Sequence, residues 1–152
     1  MKVVYLHGLQ SSPLSFKRYA LERCGHEVIA PSLSAHSWEE SVLTARETIE
    51  LAGADVVIGS SRGGAVAMAC KIKVPLVLIA PAWIKYCPWA TISANTSILH
   101  SRADEVVAYE DSETLAHAFG ATLIDVGACH RMNDAAAIKA LVAQLDLIGG
   151  RK

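Results

Sequence analysis

The sequence predicts an α/β protein, a three-layer α/β/α sandwich built around a six-stranded, mostly parallel sheet. Three observations carry that expectation. Short runs of Val, Ile and Leu alternate with longer amphipathic stretches along the chain, as strands and crossover helices do. Few of the runs alternate polar and apolar residues strictly, the mark of strands covered on both faces. Gly25, Gly53 and Gly120 each fall just past a helical stretch, where a left-handed cap is expected.

The elements follow in order. The first strand is Lys2 to Leu6, KVVYL, and helical periodicity runs from Ser15 to Cys24. Glu27 to Ala30 is a second short strand. Ser37 to Ala52 is a helix whose Ser37 and Glu40 have the spacing of a capping box. Asp55 to Gly59 is a third strand, followed by a helix from Gly63 to Lys71 and a fourth strand from Leu76 to Ala80. Pro81 to Asn95 has no clear period; it is expected to be a loop or short helix holding Trp83, Tyr86, Pro88 and Trp89. Thr96 to His100 is the fifth strand, Tyr109 to Phe119 a helix, Thr122 to Val126 the sixth strand and Asn133 to Leu147 the last helix.

With 152 residues and no repeat or linker, the chain is expected to form one domain over 1–148, with Gly149, Gly150, Arg151 and Lys152 as a frayed tail. A composition 52% hydrophobic and 19% charged is that of a packed domain and argues against disorder. A net charge of −1 without a basic run offers no field for nucleic acid or an anionic membrane, so neither is expected as a partner. The apolar start ends at His7, short for a signal peptide, and the run from Val74 to Ile84 is broken by Pro75 and Pro81. Cys24, Cys70, Cys87 and Cys129 form no C-x-x-C pair, which fits reduced thiols and a cytoplasmic location. No pair among His7, His100, Cys129 and His130 has metal-ligand spacing.

The chemistry centres on Gly59-Ser60-Ser61-Arg62-Gly63, a G-x-S-x-G string between a strand and a helix. A tight turn there pushes the Ser61 hydroxyl into the open, provided Gly59 and Gly63 remove the clash between the crossing backbones. The following helix brings its free N–H groups beneath developing negative charge. A serine needs a base, and His130 lies between the last strand and the last helix; His26, His36, His100 and His117 are less suitably placed. The base needs an orienting carboxylate. Asp104, after the fifth strand, is expected in that role, with Glu105 as the alternative; Asp125 lies within a strand, and Asp134 is too near His130 and is read as a solvated first-turn residue. Tyr5-Leu6-His7-Gly8-Leu9 ends the first strand in a His-Gly pair. The N–H of Leu9, or of Gln10, together with that of Arg62, is the expected oxyanion hole, and His7 is expected to be structural. The Arg62 side chain is expected to be solvated rather than to attract an acidic substrate.

The strings YLHGLQSSP, GSSRGG, DEVV and GACH, in that order, resemble the α/β-hydrolase superfamily and within it the small bacterial YqiA-type esterases. The resemblance spans nearly the whole chain. It implies strand order 2-1-3-4-5-6, with the triad loops at the carboxyl ends of the strands, and hydrolysis of short-chain acyl esters without a cofactor. The chain departs from the pattern at HSRAD, where many relatives carry His-Gly before the acid. Only about fifteen residues join the strands that flank a lid in larger relatives, so an open, shallow site for a small-molecule acyl substrate is expected. Trp83, Tyr86 and Trp89 are its candidate walls or, equally, core residues. The same fold and triad also serve non-catalytic ligand-binding or protein-interaction modules, a reading that stays open at this stage, as does the oligomeric state.

Overall fold

The computed structural model describes residues 1–150. Its strands are β1 (Lys2–Leu6), β2 (Glu27–Ile29), β3 (Val56–Ser60), β4 (Leu76–Ile79), β5 (Thr96–His100) and β6 (Thr122–Asp125), in a single sheet of order β2-β1-β3-β4-β5-β6. Every neighbouring pair is parallel, so the sheet is fully rather than mostly parallel. The helices are α1 (Phe16–Arg23), α2 (Trp38–Ala52), α3 (Arg62–Ala69), α4 (Trp83–Tyr86), α5 (Tyr109–Phe119) and α6 (Ala135–Gly149).

Alternation along the strands divides the core in two. Val4, Leu6, Val57, Leu78 and Ile98 turn to one face, where they meet Ala45 of α2, the buried run of α3 and Leu115 of α5. Val3, Tyr5, Ile58, Val77 and Leu99 turn to the other, against Leu21 of α1 and Leu141 and Leu145 of α6. Both faces are apolar because both carry helices, which is why the sequence shows continuous runs instead of alternation. Each such buried side chain contributes about 1.5–3 kcal/mol of transfer free energy.

The expected caps hold with two adjustments. Gly53 and Gly120 are left-handed, at φ 59° and 69°. Ser37 Oγ accepts from the Glu40 N–H at 3.1 Å, but the reciprocal half of the box is filled by Ser34, whose Oγ accepts from the Ser37 N–H at 3.0 Å. Asp134 is the N-cap of α6, not a first-turn residue: its carboxylate accepts from the N–H groups of Ala137 at 3.1 Å and Ala128 at 3.0 Å. Gly149 and Gly150, expected in a frayed tail, are instead the last residue of α6 and its C-cap; Arg151 and Lys152 lie outside the described residues. Among the described residues no helix is long and apolar enough to cross a membrane.

Candidate active site

The carboxyl ends of β1, β3, β5 and β6 open on one cleft of about 990 Å³, and Ser61, His130, Leu9 and Arg62 all line it. Ser61 follows β3 with φ 54° and ψ −117°, a left-handed conformation that a serine adopts only when its surroundings impose it. Those surroundings are backbone. A Cβ on Gly59 would lie 2.6 Å from the Gly63 carbonyl oxygen, and one on Gly63 only 2.2 Å from that of Leu6. The two glycines therefore let β3, α3 and β1 cross at a distance no other residue allows.

His130 sits in the turn between β6 and α6, which Met132, at φ 52°, helps to close. Its Nε2 lies 3.0 Å from Ser61 Oγ and its Nδ1 2.7 Å from Asp104 Oδ2. Because a carboxylate only accepts, Nδ1 carries the proton and Nε2 is free to take one from serine. Asp104, rather than Glu105, is the acid brought to His130; Glu105 lines the cleft elsewhere. The Asp104 carboxylate is fully buried, and its Oδ1 accepts from the N–H groups of Val106 at 2.7 Å and Val107 at 2.8 Å. Burial alone would push its pKa up. The bond from His130, the two backbone bonds and the His130 charge outweigh that and hold it below the ordinary carboxylate value.

A second imidazole, which the sequence reading set aside as a strand end, completes this arrangement. His100 is wholly buried, and its Nε2 lies 2.9 Å from Asp104 Oδ2 and 3.2 Å from the Val107 carbonyl. Both partners accept, so Nε2 carries the proton and Nδ1 accepts from the Ser112 hydroxyl at 2.7 Å. The departure at HSRAD thus leaves the acid in place, with His100 bound to it four residues earlier in the chain.

On the oxyanion side, a Cβ on Gly8 would stand 3.5 Å from Ser61 Cβ, which puts the loop after β1 beside the nucleophile. His7 is structural, as expected: Nδ1 bonds to the Gly8 carbonyl at 2.8 Å and Nε2 accepts from the Leu33 N–H at 3.0 Å, pinning the loop. Arg62 is the first residue of α3, where a helix leaves its N–H without an intrahelical acceptor.

The Arg62 side chain corrects the expectation of a solvated group. It is 5% exposed, donates to Ser41 Oγ at 3.1 Å, and packs 5.7 Å from the Trp38 ring and 5.6 Å from the Tyr86 ring, which stack on each other. Of the three aromatic residues expected as walls, only Tyr86 lines the cleft. Trp83 turns inward to pack on the core and donates its indole N–H to the Asp111 carbonyl at 3.0 Å, and Trp89 stands 70% exposed away from the site.

The sequence reading also passed over Lys17. This α1 residue lines the cleft at 6% exposure, and its ammonium donates to the Arg131 carbonyl at 2.6 Å and to Asn133 Oδ1 at 2.9 Å. Burial pushes its pKa down to about 8, with Cys129 a smaller opposing influence. Among the described residues, no cluster of three or more His, Cys, Asp and Glu is placed to hold a metal.

Against known proteins, the model of the Uncharacterised protein family (UPF0227) matches residues 2–96, from β1 through the elbow to the start of β5. The chain belongs to this family. No curated protein matches this UPF0227 member. Its fold is that of the α/β hydrolases. A Xanthomonas campestris pv. campestris protein assigned to the hydrolases of the alpha/beta superfamily is 26% identical with TM-score 0.77, covering 98% of this chain and 97% of that one. Mouse alpha/beta hydrolase domain-containing protein 10 is 20% identical with TM-score 0.74, over 99% and 90%. Est1E from Butyrivibrio proteoclasticus is 14% identical with TM-score 0.74, over 95% and 88%.

Proposed function

We propose that this UPF0227 member is a serine hydrolase that cleaves small acyl esters through a Ser61–His130–Asp104 triad. The observation that carries the reading is the continuous chain of hydrogen bonds from Ser61 Oγ through His130 to the buried Asp104, with Ser61 at a strained turn facing a cleft. Its likeness to proteins of the same fold that are named as hydrolases supports it.

The chemistry follows from the geometry. His130 Nε2 takes the hydroxyl proton as Ser61 Oγ bonds to the acyl carbon, and the carbonyl electrons move onto oxygen, where the Leu9 and Arg62 N–H groups receive them. Collapse breaks the bond to the leaving oxygen, which takes the proton from Nε2 and departs as an alcohol. Water, deprotonated by the same nitrogen, then attacks the acyl-enzyme and releases the acid. Each step is served by side chains, backbone and water.

Among the described residues only α4 interrupts the connection between β4 and β5, which leaves that connection without a helical lid domain. A volume of about 990 Å³ is at the upper end for ligand sites and leaves room for a leaving group larger than an ethyl or methyl. The deciding experiment treats the protein and a Ser61→Ala variant with a fluorophosphonate and locates the adduct by mass spectrometry. Labelling on Ser61 alone, with ester turnover lost in the variant, is expected. A folded wild-type protein that takes no label would instead point to a non-catalytic binding module.

A further inference from the structure

The two walls of the cleft come from opposite faces of the sheet and differ in kind. The wall from α4, the segment before α5 and the first turn of α5 is largely apolar, with Ile84, Val106 and Val107, and beside its cation Lys85 it carries the carboxylates Glu105 and Asp111. The wall from α1 and the turn before α6 brings Lys17 and Arg131 and no carboxylate to the cleft. His130 stands on that second wall.

Lys17 is the unusual member. An ammonium has three N–H donors, and two of these go to neutral acceptors on either side of Met132. Among the described residues no carboxylate comes within 4.0 Å of it. A buried cation with no carboxylate partner and only the Cys129 thiol to favour its charge destabilises the fold that holds it, and groups perturbed in this way cluster at functional sites. The reaction says which part of the substrate would do so. His130 must hand its proton to the leaving oxygen, so the leaving group lies on the His130 side of Ser61, and Lys17 is bonded to the residue next to His130.

We propose that the leaving group of the substrate carries a carboxylate that seats on the Lys17 ammonium, while the acyl chain lies along the apolar wall. This rests on the serine-hydrolase reading for the direction of the substrate. Of the two cations on this wall Lys17 is buried and Arg131 is exposed, and one buried ammonium matches the single charge of a carboxylate better than a dianionic phosphate. The substrate class is then the acyl esters of hydroxy acids, which hydrolysis converts into two acids.

The test compares (4-butyryloxyphenyl)acetate with its methyl ester and with (4-butyryloxybenzyl)phosphonate. In each, a methylene insulates the ring, so the leaving phenols are nearly equal and the ratio of kcat/KM values reports recognition of the remote group. The wild type is expected to prefer the carboxylate to the methyl ester at least tenfold. Lys17→Gln should bring that ratio within twofold of one, and Lys17→Arg should retain most of it. Because the ratio is taken within each variant, loosening of the His130 turn, which lowers both rates, leaves it unmoved. A wild-type ratio near one, or a preference that survives Lys17→Gln, overturns the proposal, and a phosphonate cleaved faster than the carboxylate overturns the choice of anion. Calorimetric titration with 4-hydroxyphenylacetate separates this inference from the hydrolase reading. Binding that Lys17→Gln abolishes, in a protein that neither turns over nor labels at Ser61, keeps the carboxylate site and discards the hydrolase; no binding discards the site.

Discussion

At the scale of single residues, Asp104 is the centre of the site, because four donors meet on its carboxylate: His130 and His100 at Oδ2, and the N–H groups of Val106 and Val107 at Oδ1. A carboxylate held on every side does not rotate, and His130 is left with one direction in which to present Nε2 to Ser61. Replacing Asp104 by Asn keeps the shape but favours the wrong His130 tautomer, and kcat is expected to fall by roughly 10³–10⁴-fold. His100→Ala removes one donor and strands the buried Ser112 hydroxyl. Its expected signature is a kcat loss of about 10–100-fold with KM changed less than about threefold, and a stability loss of about 1–3 kcal/mol by thermal unfolding. An equal rise in KM would show that His100 shapes the cleft and not the triad. The sign with pH follows from the lowered Asp104 pKa: stability due to its ionised form is complete above the ordinary value of 3.8 and is lost as pH falls through the lower folded value. Thermal unfolding between pH 2 and 5 should therefore fall more steeply in the wild type than in Asp104→Asn.

At the scale of elements, the elbow depends on how closely β1, β3 and α3 approach. A methyl on Gly63 would stand 2.2 Å from the Leu6 carbonyl oxygen and 2.6 Å from that of His7, so Gly63→Ala must displace a central strand or α3. The expected cost is at least about 2–3 kcal/mol, read from the denaturation midpoint. Gly8→Ala places its methyl at ordinary contact, 3.5 Å from its nearest neighbours, and is expected to change stability by less than about 1 kcal/mol. If both variants unfolded alike, close approach would not be the reason for Gly63. This crossing was legible in the sequence, because a strand, a G-x-S-x-G turn and a helix are neighbours in the chain. So were the six strands, the positive-φ glycines after α1, α2 and α5, and the meeting of Ser61, Asp104 and His130, each marked by the element it follows. What the sequence hid depends on partners far along the chain. Arg62 reads as a solvated first-turn residue until Ser41, Trp38 and Tyr86 fold over it. His100 reads as the last residue of a strand until β5 and the turn after it bring Asp104 to its Nε2. Trp83 reads equally as a wall or a core residue until helix α4 packs it on the core and turns its indole toward the Asp111 carbonyl.

At the scale of the whole molecule, Lys17 connects stability to function across 116 positions of sequence, from α1 to Asn133 at the entry to α6. Its pKa of about 8 against the ordinary 10.5 reflects burial, which disfavours the ammonium more than the nearby Cys129 favours it. The difference corresponds to a destabilisation on the order of 3 kcal/mol, present in full below about pH 8 and relieved as pH rises toward 10.5, where the unfolded chain also gives up its proton. Lys17→Met keeps the length and most of the volume of the side chain without the charge. It is expected to raise the melting temperature at pH 7, with the gain shrinking steadily between pH 8 and 10.5, while the catalytic efficiency toward a carboxylate-bearing ester falls. Stability gained in exchange for activity at one side chain is the pattern of a group retained for its site and not for its fold. Paired unfolding curves of the wild type and Lys17→Met across pH 6 to 10.5 check this. A variant less stable at pH 7 by a margin that persists at pH 10 would make Lys17 chiefly a strut for the His130 turn.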